Sequence, residues 1–494
     1  WGIRAEAGDI RLNVSESGAT PVNDEVSRFV RNGTRLRGGG LYSVAGMVKA
    51  FLIEVTDNYN AGVVARGRVD LMGFRSKRNL AGVVSLAGGV NARLVPSTIA
   101  FGPDQAIGNK GHGIFAGGEG LVGGVDIEGP IEARDNSGWG IKAKDGNISI
   151  SKGPTGTLGS GVVSKVSSNG SGEFYAFESP EDVDNPQQQA SYPGGGLYAE
   201  NGQVNAALIE VTDNKNAGIV ARGRVDLMGF RVNRNLAGVV SLADAVNGEL
   251  IPSSSTVAFG VDQAIGNAGH GIYAGGEGGV ADSVGIRQVG KERSRSSRAL
   301  ISGVEIQGPV EVTGNSGWGI RSAGGYISVN RGPTGTLGSA IVSKVSNNGT
   351  GLFHPIVTDD YVDNPNGDTV ANYPGGGLYA ENGQVYASLI EVTDNNNAGI
   401  LAKSNVGLIG FKVSSNKGPG IQTSAGDVDS VNPDPTGVIP ENQITGNSGY
   451  GIIILDGGDV SLQAPTPLKD NTGAGIYIGA EGNVRFNVAI NDQP

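Results

Sequence analysis

The chain has 494 residues, 85 of them glycine, with no cysteine and a net charge of −11. Glycine at about 17% without a G-X-Y period excludes collagen, and 38% apolar residues are too many for a disordered linker. The acidic balance argues against nucleic acid or an anionic membrane as partner. Absent cysteines exclude disulfides and thiolate metal sites, and no apolar run approaches the ~18 residues of a membrane-spanning helix.

Gly2-Ile3 opens a series of Gly–Ile or Gly–Val signals that runs on to Gly475-Ile476. Gly38-Gly39-Gly40-Leu41-Tyr42 returns at 194–198 and 375–379, followed each time by nearly the same text, from Phe51, Ala207 and Ser388. GHGI (His112, His270), NSGWGI (Trp139, Trp318) and GPTGTLGS (from Gly153 and Gly332) complete two large units of 156 and 181 residues. The expected layout is a partial repeat over 1–37, repeats over about 38–193 and 194–374, and a partial, diverged third over 375–494.

A finer period runs inside these units. An Asn is followed three or four positions later by Gly and then Ile or Val, as at Asn58/Gly62, Asn79/Gly82, Asn136/Gly140, Asn214/Gly218, Asn395/Gly399 and Asn471/Gly475. With Asn32, Asn169 and Asn348, which precede the GGGLY segments, 15 asparagines stand in register over 16 turns of the repeat, 20–22 residues apart where no loop intervenes. Between the signals apolar residues alternate, as in Ile148-Ser149-Ile150, which is a strand pattern. About 20 residues hold three short strands and three turns. Stacked about 4.8 Å apart, such turns form a single-stranded parallel β-helix. The expectation is an all-β fold, one continuous solenoid over 1–494 of about 16 coils with inserted loops, roughly 75 Å long. The repeated Asn is expected to bond its counterparts above and below, satisfying backbone groups at the turn. The Gly after it is expected to supply φ > 0 and room for close packing.

This pattern resembles the right-handed parallel β-helix repeat family over nearly the whole chain. The family includes pectate lyases, polygalacturonases, phage tailspikes and autotransporter passengers, and residues 471–486 are most similar to surface proteins with GGAIY-like repeats. The resemblance implies a right-handed β-solenoid but no particular activity. Polygalacturonase-like hydrolysis needs paired aspartates beside a Gly-His-Gly motif. Gly111-His112-Gly113 and Gly269-His270-Gly271 match the His motif, but the N-T-D, D-D and R-I-K partners are missing, and each His fills a slot occupied elsewhere by Ala61, Trp139 or Pro419. A turn role is expected for both. Pectate-lyase-like chemistry needs clustered Asp for Ca²⁺ and a nearby basic residue. Arg66, Arg68, Asp70 and Arg75 recur as Arg222, Arg224, Asp226 and Arg231, but one acid per copy makes a poor lyase.

Loops recur at equivalent turns, 88–105 with 244–263 and 173–193 with 352–374, and a locally basic insertion surrounds 291–295. VDNP at 183–186 and 362–365 brings Glu181, Asp184, Asp360 and Asp363 together as candidate Ca²⁺ ligands, with an ordinary polar turn the alternative. No other cofactor is expected. Trp1, Trp139 and Trp318, with Tyr450, share one repeat position and are expected to cover a turn rather than bind sugar rings.

Trp1-Gly2-Ile3-Arg4 aligns with Trp318-Gly319-Ile320-Arg321, so the chain is expected to begin partway through a coil as a processed or excised product. Neither end carries a recognisable cap, which leads to the expectation of end-to-end self-association. The functional expectation is an extracellular or cell-surface structural protein: a filament, sheath or layer subunit, or an adhesin-like passenger, with carbohydrate a further candidate partner. The alternative is a polysaccharide lyase or glycoside hydrolase working in a groove along the solenoid.

Overall fold

Branched aliphatics at alternate positions, punctuated by Gly, Asn and Asp, make the protein all-β in a computed structural model. It describes residues 1–494 except 34–37, 120–122, 152–157, 159–160, 187, 190–192, 250, 252–258, 277–302, 331–338, 354–355, 358–374, 431–437, 440, 464–465 and 488–494. Among the described residues the one helix is Pro180–Asp184, and no helix is long and apolar enough to cross a membrane. The chain divides into two compact units.

The first unit is built mainly from Trp1–Val239 and Glu249–Gln263. Its short strands each start at the Ile, Val or Leu that follows a coil glycine and pair in parallel in chain order. The register runs Ile3, Leu41, Val63, Val83, Ile114, Ile141, Leu197, Ile219. A second parallel sheet holds nine-residue strands, Val48–Thr56, Val69–Lys77, Val204–Thr212 and Val225–Asn233. Each turns a corner at its fifth residue, Leu52, Gly73, Leu208 or Gly229, where φ lies between 49° and 69°. Inserted loops enter at this corner: the path of Val69–Lys77 is continued in the next coil by two strands, Val90–Arg93 and Asp104–Ile107.

The second unit, drawn from Val240–Gly248, Ala264–Phe353 and Val370–Pro494, repeats the plan. Its short strands keep the register Ile272, Ile320, Leu378, Ile400, Ile421, Ile452, Ile476. Val385–Thr393 and Val406–Ser414 turn their corners at Leu389 and Gly410. In both units the inward residues are buried aliphatics, among them Val48, Ala50, Ile53 and Val55 on one strand and Val385, Ala387, Ile390 and Val392 on another.

The ladder is present in each unit. In the first, the Nδ2 of Asn32, Asn58, Asn79, Asn109, Asn136, Asn169 and Asn214 donates to the Oδ1 of the next Asn, ending at Asn235, over 2.9–3.3 Å. In the second, the chain runs from Asn267 through Asn315, Asn348, Asn395, Asn416 and Asn447 to Asn471, over 2.9–3.0 Å. Each Oδ1 also accepts the backbone N–H of the preceding ladder Asn, as Asn169 does from Asn136 at 3.1 Å. The second Nδ2 hydrogen reaches a strand carbonyl, as from Asn136 to Ala106 O at 2.9 Å.

The expected role of the glycine needs correction. The coil glycines do not have positive φ; the residue before each ladder Asn does. Arg31, Asp57, Arg78, Gly108, Asp135, Ser168, Asp213 and Arg234 lie between 52° and 64°, and Gly266, Gly314, Asn347, Asp394, Ser415, Gly446 and Asp470 between 54° and 67°. The left-handed residue makes the turn; the coil glycine supplies only room. A Cβ on Gly82 would stand 2.0 Å from the carbonyl oxygen of Gly113.

Four positions before each ladder Asn, the outward residues alternate in charge. Arg28, Glu54, Arg75, Gln105, Glu132, Lys165, Glu210 and Arg231 face one another in successive coils of the first unit. Glu311, Lys344, Glu391, Lys412 and Gln443 do so in the second. No two like charges are cross-strand neighbours in this column.

A further buried acid supports the corner. Asp104 Oδ1 accepts the Phe74 N–H and Asp262 Oδ1 that of Phe230, each at 2.9 Å, and in the second unit Asn442 does the same for Phe411 at 3.1 Å. Burial raises both aspartates to about 7, partly offset by the bond from the backbone. An acid raised on folding stabilises fully below its ordinary value near 3.8, and that contribution is lost as pH rises through about 7. Asp104→Asn and Asp262→Asn, which copy Asn442, are therefore expected to stabilise on the order of 2 kcal/mol each at pH 8, with the gain shrinking toward pH 4 in denaturant titrations. Asn136→Ala removes ladder bonds on both sides and leaves buried backbone groups unpaired. A loss of about 3 kcal/mol is expected in the same titration.

Candidate functional site

The outward positions of the short strands form a second column in the first unit. Arg4, Tyr42, Val64, Val84, Phe115 and Lys142 follow one another in register, four apolar side chains between two cations. Outward aliphatics would ordinarily face water, yet Tyr42, Val64, Val84 and Phe115 are all buried. Residues 173–186 lie over them as a strap, with Phe177 and Val183 packed into the same apolar cluster.

Local chemistry shapes the strap. Ser179 caps the short helix Pro180–Asp184 in a reciprocal box with Asp182, and Pro180 occupies the first turn, where a missing N–H costs nothing. Asp182 Oδ2 accepts the backbone N–H groups of Glu178 and Ser179 at 3.1 and 2.9 Å. The strap is tied to the coils by Tyr175 N–H to Lys110 O at 2.9 Å and by Asn60 Nδ2 to Val183 O at 2.8 Å.

Charges hold the strap at either end of the column. Lys142 Nζ lies 2.8 Å from Glu178 Oε1 and 3.3 Å from Glu200 Oε2, while Arg4 Nη1 lies 3.8 Å from Asp184 Oδ1. His112 completes the lower end. Its Nδ1 accepts the Trp139 N–H at 3.0 Å, and its Nε2 faces Glu178 Oε1 at 3.7 Å, too far for a hydrogen bond. Burial depresses the imidazole, more than Glu178 raises it, so the ring is neutral at pH 7 and carries its proton on Nε2. Burial alone would raise Glu178, but the Lys142 ammonium at 2.8 Å, with the Nε2–H of neutral His112 turned toward the same oxygen, holds it well below the usual carboxylate range. Glu178 and Glu200 more than offset the burial of Lys142 and raise it. The cluster is a closed contact between an ammonium and its carboxylates, and its chemistry is that of a clamp.

The second unit keeps half of this arrangement. His270 Nδ1 accepts the Trp318 N–H at 3.0 Å, and Arg321, in the repeat position that Arg4 and Lys142 both hold, pairs with Glu381 at 2.8 Å. Burial, then Arg321, drives His270 down to about 3. Both histidines thus serve the turn, as the sequence pattern suggested. The repeat places Val357 where Glu178 stands, so the carboxylate on His112 is peculiar to the first copy.

The other candidates are scattered. Glu181 and Asp184 share the strap helix, with Asp184 turned toward Arg4, whereas Asp360 and Asp363 lie outside the described residues, as does the segment around 291–295. Among the described residues, no group of three or more acidic or His side chains is gathered for a metal ion. Asp70 pairs with Arg68 at 2.5 Å and Asp226 with Arg224 at 2.6 Å along their own strands. Arg75 and Arg231 turn away to the corner loops, donating to Phe101 O and Phe259 O at 2.6 and 2.5 Å and lying over those rings. Trp139 and Trp318 are buried beside Tyr198 and Tyr379 at 4.9 Å, and a Cβ on Gly195 would meet the Trp139 ring at 2.4 Å, which explains the glycine run of GGGLY.

Lys142 and Glu178 were not singled out in the sequence, because one is an outward strand residue and the other lies in a loop whose second copy lacks it. The mismatch between Glu178 and Val357 was the available signal. Phe177→Ala is expected to loosen strap docking by about 3 kcal/mol, speeding proteolytic cleavage within 173–186 on the order of 100-fold under native conditions. Because Glu178 is depressed on folding, its contribution is complete above about 4.5 and declines only in stronger acid. Protection of the strap is therefore expected to stay flat from pH 8 to about 6.5 in the wild type and to fall below it, because His112, kept neutral by burial, takes up a proton once the strap lifts. Glu178→Gln should reduce it throughout that range.

No protein-family model, no curated protein and no solved structure matches the chain.

Proposed function

We propose that this chain is a right-handed parallel β-helix of about 16 coils serving as an extracellular or cell-surface structural element: a filament, sheath or layer subunit, or an adhesin-like passenger. One observation carries the reading. The side chains that in an enzyme would do chemistry recur from repeat to repeat in the same structural duty. His112 and His270 each accept a Trp backbone N–H, Asp104 and Asp262 each accept a Phe N–H, and Arg75 and Arg231 each pin a corner loop. An active site is singular; a scaffold repeats its fittings.

Parallel sheets and a stacked asparagine ladder support the solenoid part of the reading. Coil stacking also makes self-association chemically simple, since each coil offers its neighbour the same donors and acceptors. Carbohydrate is a candidate partner for such a surface, bound without turnover.

Small-angle scattering of the purified chain is expected to give a rod roughly 75 Å long, and sedimentation should show end-to-end growth with concentration. Incubation with polygalacturonate and other acidic glycans should yield neither unsaturated uronate absorbance nor new reducing ends. A globular scattering profile would overturn the solenoid, and sustained turnover would replace the scaffold with a lyase or hydrolase.

A further inference from the structure

In the first unit an outward apolar column is shielded by an acidic strap; the second unit carries the same kind of column with a different degree of cover. Arg321, Tyr379, Leu401, Gln422, Ile453 and Tyr477 follow one another in register on successive short strands. The order matches Arg4, Tyr42, Val64, Val84, Phe115 and Lys142 position for position. Where Tyr42, Val64, Val84 and Phe115 are fully buried, Leu401 and Ile453 are half-buried, Tyr477 is 44% exposed and the adjoining Leu455 42%. Gln422 interrupts the row between Leu401 and Ile453, and what remains is a partly covered apolar strip that runs on to Tyr477 and Leu455; such strips are a common mark of an interaction surface.

We infer that the Leu401–Ile453–Tyr477 face of the second unit is a docking surface for an acidic peptide segment of the 173–186 type. The occupant's chemistry follows from the strap seen on the matching face. Phe177 and Val183, six residues apart, fill the space between coils, and acids beyond them meet the flanking cations. On the second-unit face the cation at the Arg4 end is conserved in kind as Arg321, already paired with Glu381, so a second carboxylate there joins an existing cluster. At the other end Tyr477 replaces Lys142. The fitting segment therefore needs an aromatic and a branched aliphatic anchor and an acid at the Arg321 end, but no counterpart of Glu178.

A fluorescently labelled peptide of residues 173–186, titrated with the full chain and followed by anisotropy, tests the inference. Saturable binding is expected that a scrambled peptide does not show. Leu401→Asp with Ile453→Asp should weaken it at least about tenfold. These positions point outward, and an unchanged β-type circular dichroism spectrum would verify folding; Tyr477→Ala with Leu455→Ser provides a milder second variant with the same expected direction. Phe177→Ala, which loosens the chain's own strap, should leave binding at this face intact. Three outcomes overturn the inference: no saturable binding; binding lost on Val64→Asp but not on Leu401→Asp, which would mean exchange with the strap in the first unit; or self-association of the chain abolished by Leu401→Asp, which would make a second copy the occupant.

Discussion

Everything outward-facing in this protein is placed by a backbone turn that cannot satisfy itself. A residue in the left-handed region precedes each ladder asparagine and swings the chain through a corner, stranding an N–H and a strand carbonyl away from water. The asparagine amide is the side chain that repairs this, because it carries an acceptor and two donors on one short arm. Its oxygen takes the stranded N–H, one hydrogen finds the carbonyl and the other finds the next asparagine. An aspartate there would stack charge on charge, and a serine would fall short. The local repair also imposes long-range order, since it closes only when consecutive coils lie in register.

Register then determines which side chains meet. With every coil aligned at the asparagine, the residue four places earlier faces its counterpart in the next coil, and the alternation Arg28, Glu54, Arg75 and then Glu132, Lys165, Glu210, Arg231 becomes a column of complementary neighbours. Each exposed pair contributes little by itself. A slip by one whole coil, however, would oppose like charges at several levels together, so the column discriminates against misaligned stacking more than it stabilises the aligned state. The glycine run of GGGLY acts similarly through sterics, since only residues without Cβ fit beneath Trp139.

The repeat, strand path and ladder were legible in the sequence because they depend on composition at fixed spacing, and spacing survives in one dimension. What was not legible depended on which residues a turn can tolerate. The left-handed position accepts Arg, Asp, Ser, Asn and Gly alike, so no single letter marks it, and the nearby invariant glycine drew the assignment although it serves only to admit a neighbouring carbonyl. The corner acids were hidden for the opposite reason. Asp104 and Asp262 resemble solvated strand-end residues until burial shows that each accepts a backbone N–H, as Asn442 does without charge. The clamp of Lys142 and Glu178 joins residues 36 positions apart, and no periodicity connects a strand to a loop that folds back over it.

In a chain that copies itself, departures from the copy carry the information about what each stretch does alone. The outward column on the short strands shows this. Its first instance pairs an apolar row with a strap whose anchors and acids match that row, and the match is too detailed to arise from generic loop packing: Phe177 and Val183 enter the cluster while Glu178 and Asp184 approach the two cations beyond it. Replacement of Glu178 by Val357 in the next copy removes a charge, and replacement of Lys142 by Tyr477 on the second-unit column removes a cation. Coil stacking requires neither change, because these positions point away from the core and leave the ladder untouched. An outward apolar row adds nothing to coil stacking and costs free energy where water reaches it, so its side chains stabilise the molecule only to the extent that a segment lies over them, as residues 173–186 do in the first unit.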